Sequence, residues 1–285
     1  MAVASAVIFG VTPLIAKIIY AAGGNAISLV FYRFFLPIPL LYYAARKTGC
    51  KDMSISKSEL LKIFVVVAGY ASTPLLLYSS YNYISVGAAS TLHFIYPVFI
   101  MLGLAVFYKL KPNRIEVISV IIAMIGIMLI MDFTELNNFI GFILAFSSGI
   151  TYAVYSFYLE KSGLNVMNTF KLIFYIAIFS SIPVLVYSLL TKSFVYQYSL
   201  KSWLLIALFA FSISVIAVVF YQSAIKLIGS QKTSILSTFE PVTSIVIGFM
   251  FFSEFITFKK GVAIICIITA SILLAVYGKK SEKSL

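Results

Sequence analysis

Apolar runs of about twenty residues recur along this chain, with short polar gaps between them. At a rise of about 1.5 Å per residue, a helix of that length crosses the hydrocarbon layer of a bilayer. The pattern predicts ten membrane helices, at about 2–21, 26–45, 60–82, 86–108, 114–132, 138–159, 168–190, 202–225, 231–252 and 260–278. A transmembrane barrel would show segments of roughly ten alternating residues instead.

The ten spans fall into two sets of five, repeated at a constant offset of 144 residues. Pro39 falls on Pro183 and Pro97 on Pro241, and those are the only prolines of the second half. Tyr43 meets Tyr187, Phe35 meets Phe179, Leu60-Leu61 meets Leu204-Leu205, and Lys17 meets Lys161. Aliphatic matches are cheap in a chain this apolar, so the prolines and the shared register carry the inference. The expectation is an all-α polytopic membrane protein of two related five-helix halves, 1–135 and 136–285.

An even number of spans places both termini on one side. With that side cytoplasmic, fifteen Lys and Arg residues fall inside, among them Arg46, Lys47, Lys109, Lys111, Lys161, Lys171, Lys226, Lys232, Lys279, Lys280 and Lys283. Five fall outside: Lys17, Lys192, Lys201, Lys259 and Lys260, with Asp132 and Glu135 also outside. The bias predicts cytoplasmic termini in the cytoplasmic membrane. Five is odd, so the second half enters from the opposite face, and the repeats are expected to be inverted about an axis in the membrane plane. That arrangement is a recurrent transporter design.

Composition agrees. The chain has 285 residues, 62% hydrophobic and 11% charged, against roughly a quarter charged in a soluble domain. A net charge of +12 would suggest nucleic acid in a soluble protein; here topology signals account for it, and no nucleic-acid partner is expected. Cys50 and Cys266 build no disulfide framework and are expected to be free thiols. Met1 leads directly into an apolar segment without a basic n-region, so no cleavable signal peptide is expected.

Few residues within the spans can carry chemistry. Pro97 and Pro241 lie near the middle of spans four and nine. Each removes a helical hydrogen bond, which releases the carbonyls of His93 and Ser237 at equivalent repeat positions. Such backbone is tolerated at membrane depth when it is buried in protein or lines a wet cavity. The functional reading is a pair of broken helices beside the substrate path; the bland one is packing kinks. Glu240 precedes Pro241, and a carboxylate so deep needs a partner or a cavity. It is read as a coupling or substrate-sensing group, or as a structural hydrogen bond at the kink. Arg33, the only basic residue well inside span two, is read mainly as a structural anchor; holding a substrate anion and pairing with Glu240 are the alternatives.

His93 is the only histidine and lies one turn before Pro97. It is a candidate proton site, or a hydrogen-bonded structural residue. No cluster of ligands accompanies it, so no metal site is expected. Tyr70, Pro74, Tyr78 and Tyr81 share a face of span three, and Ser148, Tyr152 and Tyr155 a face of span six. They are candidates to line an amphipathic cavity, although interfacial belts and packing also use tyrosine. Gly103, Gly126, Gly141, Gly149 and Gly248 are read as close helix approaches. Lys17 and Lys161 are read as cations at helix C-terminal ends. No metalloprotease, P-loop or nucleophile-elbow motif is present, no ATPase domain is in the chain, and no cofactor or enzymatic activity is expected.

The run 220–241, FYQSAIKLIGSQKTSILSTFEP, resembles the signature of the EamA family in the drug/metabolite transporter superfamily: an A-L-K-like turn, a small-residue stretch, then Glu-Pro. Ser253-Glu254 resembles the Gly-Glu that follows. YNYISVGAASTLHFIYP, ending at Pro97, resembles the equivalent segment of the first half. Phe9-Gly10 resembles the family's Trp-Gly, and Arg33-Phe34 its Arg-Phe. Lys109-Leu110 stands where the family has Gly-Glu after span four. The resemblance covers almost the whole chain. It implies ten helices in two inverted halves, a central cavity with spans four and nine near the pseudo-axis, and secondary transport of small metabolites.

The functional expectation is a secondary transporter that moves a small organic metabolite by alternating access, with outward movement of amino acids or related compounds as the first guess. Spans three, four, six, eight and nine are expected to line the site. His93, Tyr96, Ser237, Glu240, Tyr70, Tyr78, Tyr152 and Tyr155 are the candidate contacts, and Glu240 and His93 the coupling candidates. A passive facilitator of the same fold is the alternative, followed by a scaffold or membrane enzyme. Substrate and lipid bilayer are the expected partners, and no sequence feature specifies an oligomeric state.

Overall fold

The computed structural model describes residues 1–130, 138–252 and 255–277. Asp132, Glu135, Ser253, Glu254, Lys279, Lys280, Lys283 and the packing of Gly248 lie outside the described residues. Fourteen α-helices and no strand occur among the described residues. Among the described residues, eight helical segments are long and apolar enough to cross a membrane.

The first half contains α1 (Ala2–Phe9), α2 (Thr12–Ala21), α3 (Ala26–Phe35), α4 (Ile38–Lys47), α5 (Lys57–Ser80), α6 (Val86–His93), α7 (Tyr96–Tyr108) and α8 (Arg114–Ile130). The second contains α9 (Phe139–Lys161), α10 (Thr169–Leu190), α11 (Leu200–Phe211), α12 (Val218–Ser237), α13 (Phe239–Phe252) and α14 (Phe258–Tyr277). The expected first, second and fourth spans are each two helices in line: α1–α2, α3–α4 and α6–α7. A π-helical segment, Ser212–Ala217, joins α11 to α12.

The expected gap at 226–230 does not separate two spans as a loop. Within it, Gly229 leaves helical geometry, with φ 80° and ψ 163°, and separates two helices that meet at a sharp bend. Only glycine adopts that conformation without steric cost. The short helix after Gly229 and α13 together occupy the expected ninth span.

Side-chain caps start the spans. Asn25, Ser56, Ser85, Asn138, Asn168 and Ser199 each accept a hydrogen bond from a backbone N–H of the following first turn. These caps satisfy amides that lipid cannot. Ser56 and Glu59 form a reciprocal capping box.

The apolar core does not divide at the boundary between the halves. One buried cluster joins spans one, two and three to α9, α10 and the α11–α12 run, through residues such as Leu29, Val66, Tyr155, Ile176 and Phe209. A second joins α7 and α8 to α9, α13 and α14, through Ile100, Ile127, Phe157, Val242 and Ile267. Glycines permit the closest approaches: a Cβ on Gly103 would meet the Phe157 ring at 2.6 Å, one on Gly126 the Ala263 carbonyl at 2.9 Å, and one on Gly141 the Ile84 side chain at 2.7 Å.

Two loops act as reciprocal straps. After α4, the loop lies on the start of α10: Asn168 Nδ2 donates to Thr48 Oγ1 at 3.0 Å, Lys171 Nζ to the carbonyls of Asp52 and Ser54, and the Tyr175 hydroxyl to the Met53 carbonyl. Within it, Ser54 donates N–H and O–H to the Asp52 carboxylate, which holds that carboxyl below the usual range. After α10, the loop lies on the start of α3: Asn25 Nδ2 donates to the Ser193 carbonyl at 2.6 Å, Val195 N–H to Ser28 Oγ at 2.9 Å, and the Tyr32 hydroxyl to the Val195 carbonyl at 3.0 Å. The chain leaving each span therefore lies on the start of the other, so the α3–α4 span and α10 run antiparallel.

Candidate functional site

The helix breaks place the candidate residues. α6 ends at His93 and α7 starts at Tyr96, with Pro97 in its first turn. α12 ends at Ser237 and α13 starts at Phe239, with Pro241 close behind. The breaks at Phe94 and Thr238 are 144 residues apart, as the two prolines demand. Each is crossed by a glycine of another span. A Cβ on Gly149 of α9 would lie 2.8 Å from the carbonyl oxygen of His93. A Cβ on Gly10 would lie 2.8 Å from the carbonyl oxygen of Glu240 and 2.7 Å from Thr243 Cβ. Ser244 Oγ donates to the Gly10 carbonyl at 2.7 Å and ties span one to α13.

A small cavity lies between these crossings, lined in part by Thr12, Arg33, Tyr78, Ser90, His93 and Glu240. Its volume, about 50 Å³, admits a few waters rather than a metabolite. The centre is therefore nearly closed.

Arg33 is 5% exposed. Its Nη1 donates to Tyr78 Oη at 3.0 Å, its Nη2 to Tyr70 Oη at 3.1 Å and its Nε to Ser214 Oγ at 3.3 Å. Ser214 belongs to the π-helical segment, a distortion often found at functional sites. Among the described residues, the guanidinium is held by hydroxyls and not by a carboxylate. It does not pair with Glu240, but both line the cavity. A guanidinium and a carboxyl on the wall of one cavity can be bridged by a ligand that carries both signs.

His93 is anchored. Its Nδ1 lies 2.9 Å from Ser148 Oγ, and that hydroxyl donates to the Ala145 carbonyl. The hydroxyl proton is thus engaged, so Nδ1–H donates to Ser148 and Nε2 is left as an acceptor. His93 packs on Tyr96 and Tyr152, with ring centroids 5.3 and 5.4 Å away.

The remaining expected contacts separate into wall and backing. Tyr70, Tyr78 and Tyr152 line the cavity, with Tyr81 and Pro74 of the same stripe. Tyr155 stands behind Tyr70 at 4.8 Å between centroids and accepts a hydrogen bond from Gln222 Nε2 at 3.2 Å. Tyr96 faces Ser237, and neither lines the cavity. The expected contribution of the eighth span is indirect: it holds Arg33 through Ser214, while spans one and two supply wall residues. Thr12, Ser90 and Thr73 were absent from the sequence expectation. A Gly10–Pro13 pair inside one span was the available signal for the first, and the i−3 spacing from His93 for the second.

Two larger cavities flank the centre. One of about 210 Å³ reaches from Glu240, Ser90 and Phe94 to Lys17 and Lys260. Lys17 therefore lines a cavity in the middle of α2, whereas Lys161 lies in the last turn of α9 and pairs with Glu160 at 2.6 Å. The other, of about 760 Å³, lies beyond Tyr96 and Ser237, among α7, the 110–112 loop, the Gly229 bend and α14.

The sequence pattern of the EamA-like transporter family matches residues 1–132 and again 139–276. An uncharacterized transporter of Archaeoglobus fulgidus is 24% identical over 263 residues, which is 90% of this chain and 88% of that protein. A protein of known crystal structure superposes with a TM-score of 0.81 at 14% identity, over 99% of this chain and 97% of its own. That likeness speaks for the fold alone.

Proposed function

Because this chain belongs to the EamA-like transporter family, we propose that it is a secondary transporter that moves a small organic solute across the cytoplasmic membrane by alternating access. The observation that carries the reading is the centre: a nearly closed polar cavity, bounded by matched breaks in two spans and flanked by a larger cavity on either side. A barrier between two vestibules is what alternating access requires.

In this reading ten spans form two inverted halves with cytoplasmic termini. The antiparallel course of α3 and α10 and their reciprocal straps support inversion. The cavity with Lys17 and Lys260 is then outer, and the one with Lys111 and Lys161 nearby is cytoplasmic, as the charge bias requires. Arg33 and Glu240 favour a zwitterion, such as an amino acid or related compound, with its anionic group toward Arg33 and its cationic group toward Glu240. Export is the direction proposed, with protons coupled through Glu240.

Purified protein in proteoliposomes tests this. A panel of labelled amino acids should exchange by counterflow, and one class should accumulate against its gradient when a pH gradient is imposed. Glu240→Gln should weaken counterflow by raising its half-saturating concentration, and should lose accumulation altogether. Equilibration without accumulation in the unsubstituted protein identifies a facilitator. Undiminished accumulation by Glu240→Gln removes Glu240 from coupling.

A further inference from the structure

Glu240 serves two cavities. It lines the small centre, and it also lines the 210 Å³ cavity beyond it. The residue is half-buried. Ser244 Oγ reaches its backbone carbonyl at 3.3 Å, but among the described residues no hydrogen bond or ion pair reaches its carboxyl. A carboxyl at membrane depth with open surface and no protein partner is costly unless something else comes to meet it.

The larger of these two cavities runs from Glu240 toward one membrane face. Along span one, Pro13 lines both cavities and Lys17 only the larger, one helical turn on and about 6 Å further along the axis. Along span four, Ser90 and Phe94 line both, and Val86, at the start of α6, only the larger. Lys17 thus stands at the far end from Glu240. It is exposed and lies ahead of the last turn of α2, so the helix dipole does not account for it. Among the described residues its ammonium has no hydrogen-bond or ion-pair partner. A cation and a carboxyl therefore close the two ends of one cavity without pairing with each other.

The wall between them is mostly apolar, with Leu14, Ile127, Ile130 and Ile245. Thr91 and Ser244 also lie on it, but their hydroxyls donate to the backbone carbonyls of Gly87 and Gly10. The volume of about 210 Å³ is that of about seven waters. It falls below the roughly 300 Å³ at which pockets for drug-sized ligands begin. A free amino acid with an aliphatic side chain suits this space better than a bulky drug does.

We propose that this cavity is an outer solute station, set by Lys17 and Glu240, that selects a zwitterionic amino acid with an aliphatic side chain. Glu240 takes the ammonium group. Lys17 takes the carboxylate, on a flexible stem that follows the guest. Leu14 and the isoleucines enclose the side chain. Because Pro13, Ser90, Phe94 and Glu240 line both cavities, the ammonium group stays on Glu240 while the carboxylate passes between Lys17 and Arg33. That passage rests on the transporter reading; binding between Lys17 and Glu240 does not.

The test is Lys17→Gln, with two probes: leucine, and isoamylamine, which has leucine's side chain and amine without the carboxylate. The protein's cation and the ligand's anion are then removed separately and together, which isolates their interaction. Thermal unfolding in detergent reads binding, because a ligand of the folded state raises the midpoint by mass action. Counterflow in proteoliposomes of known orientation reads half-saturation at each face. Leucine should stabilise the unsubstituted protein. In Lys17→Gln its half-saturating concentration at the Lys17 face should rise about tenfold, while that at the opposite face holds. Isoamylamine should bind both proteins alike, and Lys17→Arg should restore most of the leucine binding.

Equal weakening of leucine and isoamylamine by Lys17→Gln overturns the proposal, since the lysine then does not read the carboxylate. Unchanged leucine binding also overturns it and leaves Lys17 an interfacial cation. So does the lack of any leucine-induced shift in the unsubstituted protein. Lys17-dependent leucine binding without counterflow keeps the site and removes the transporter reading; leucine counterflow indifferent to Lys17 keeps the transporter and removes the site.

Discussion

The breaks at Phe94 and Thr238 occupy the same repeat position, yet their chemistry differs. At the first, the polar group is His93, which is stapled to Ser148 of α9 and packed between Tyr96 and Tyr152. At the second it is Glu240, whose repeat mate is Tyr96, and whose carboxyl faces both the central and the outer cavity. A glycine of another span lies against each break: a Cβ on Gly149 would stand 2.8 Å from the carbonyl oxygen of His93, and one on Gly10 2.8 Å from that of Glu240, three residues beyond Ser237. The duplicated element is thus the joint, a proline and a released carbonyl, and each joint has a glycine of another span packed close by. The charge was placed in one half only. A symmetric scaffold supplies two joints on which the halves can rock, while asymmetric side chains supply the recognition.

The largest effect on this comparison should come from the side of the cavity opposite Glu240. Arg33→Met would leave Tyr70, Tyr78 and Ser214 without their shared donor, at a cost of about 3 kcal/mol, and should abolish solute exchange. Arg33→Lys keeps the charge but cannot serve three hydroxyls at once, so partial stability with impaired exchange is expected. Unchanged unfolding of Arg33→Met would contradict the anchoring role.

Next come the two crossings. Alanine at Gly149 or at Gly10 meets backbone oxygen, which cannot swing away, so each should destabilise by about 2 kcal/mol despite alanine's better helix propensity. Thermal unfolding of both variants checks the equivalence of the joints. A loss at one and a gain at the other would show that only one joint is tight.

Ser148→Ala separates the two polar groups further. It removes the histidine's acceptor and should cost about 1 kcal/mol, while pH-driven accumulation survives. Loss of accumulation with folding intact would make His93 a coupling group and erase the contrast with Glu240.

The straps give the smallest effects. Asn25→Ala and Asn168→Ala each remove a cap and a strap contact, and each should cost about 1 kcal/mol or slightly less. Inverted halves require the two losses to be similar in denaturant or thermal unfolding. A large asymmetry would weaken the case for symmetry.

Much of this was legible in the chain. Spans of about twenty apolar residues follow from bilayer thickness, and most were placed to within a few residues. The prolines at 97 and 241 announced their breaks because proline lacks the N–H that a helix needs. The tyrosine stripe of span three was found because helical spacing puts Tyr70, Tyr78 and Tyr81 on one face. The break in span one was missed even though Gly10 and Pro13 were in view, because neither had a partner in the repeat. The boundary expected at 226–230 falls at Gly229, where a single non-helical glycine takes the place of a loop.

The sequence by itself determined the medium, the helical class, the two-fold repeat and the family, because hydrophobic length and proline position are local properties. Only the tertiary structure decided which faces meet. A membrane helix is apolar toward lipid and apolar toward its neighbours, so periodicity does not tell one side from the other. The hydroxyl cradle of Arg33, the staple on His93, the cores shared across the halves and the cavity between Glu240 and Lys17 all depend on how each helix is rotated against the next. That rotation is fixed by packing between residues as many as 234 positions apart, such as Gly10 and Ser244.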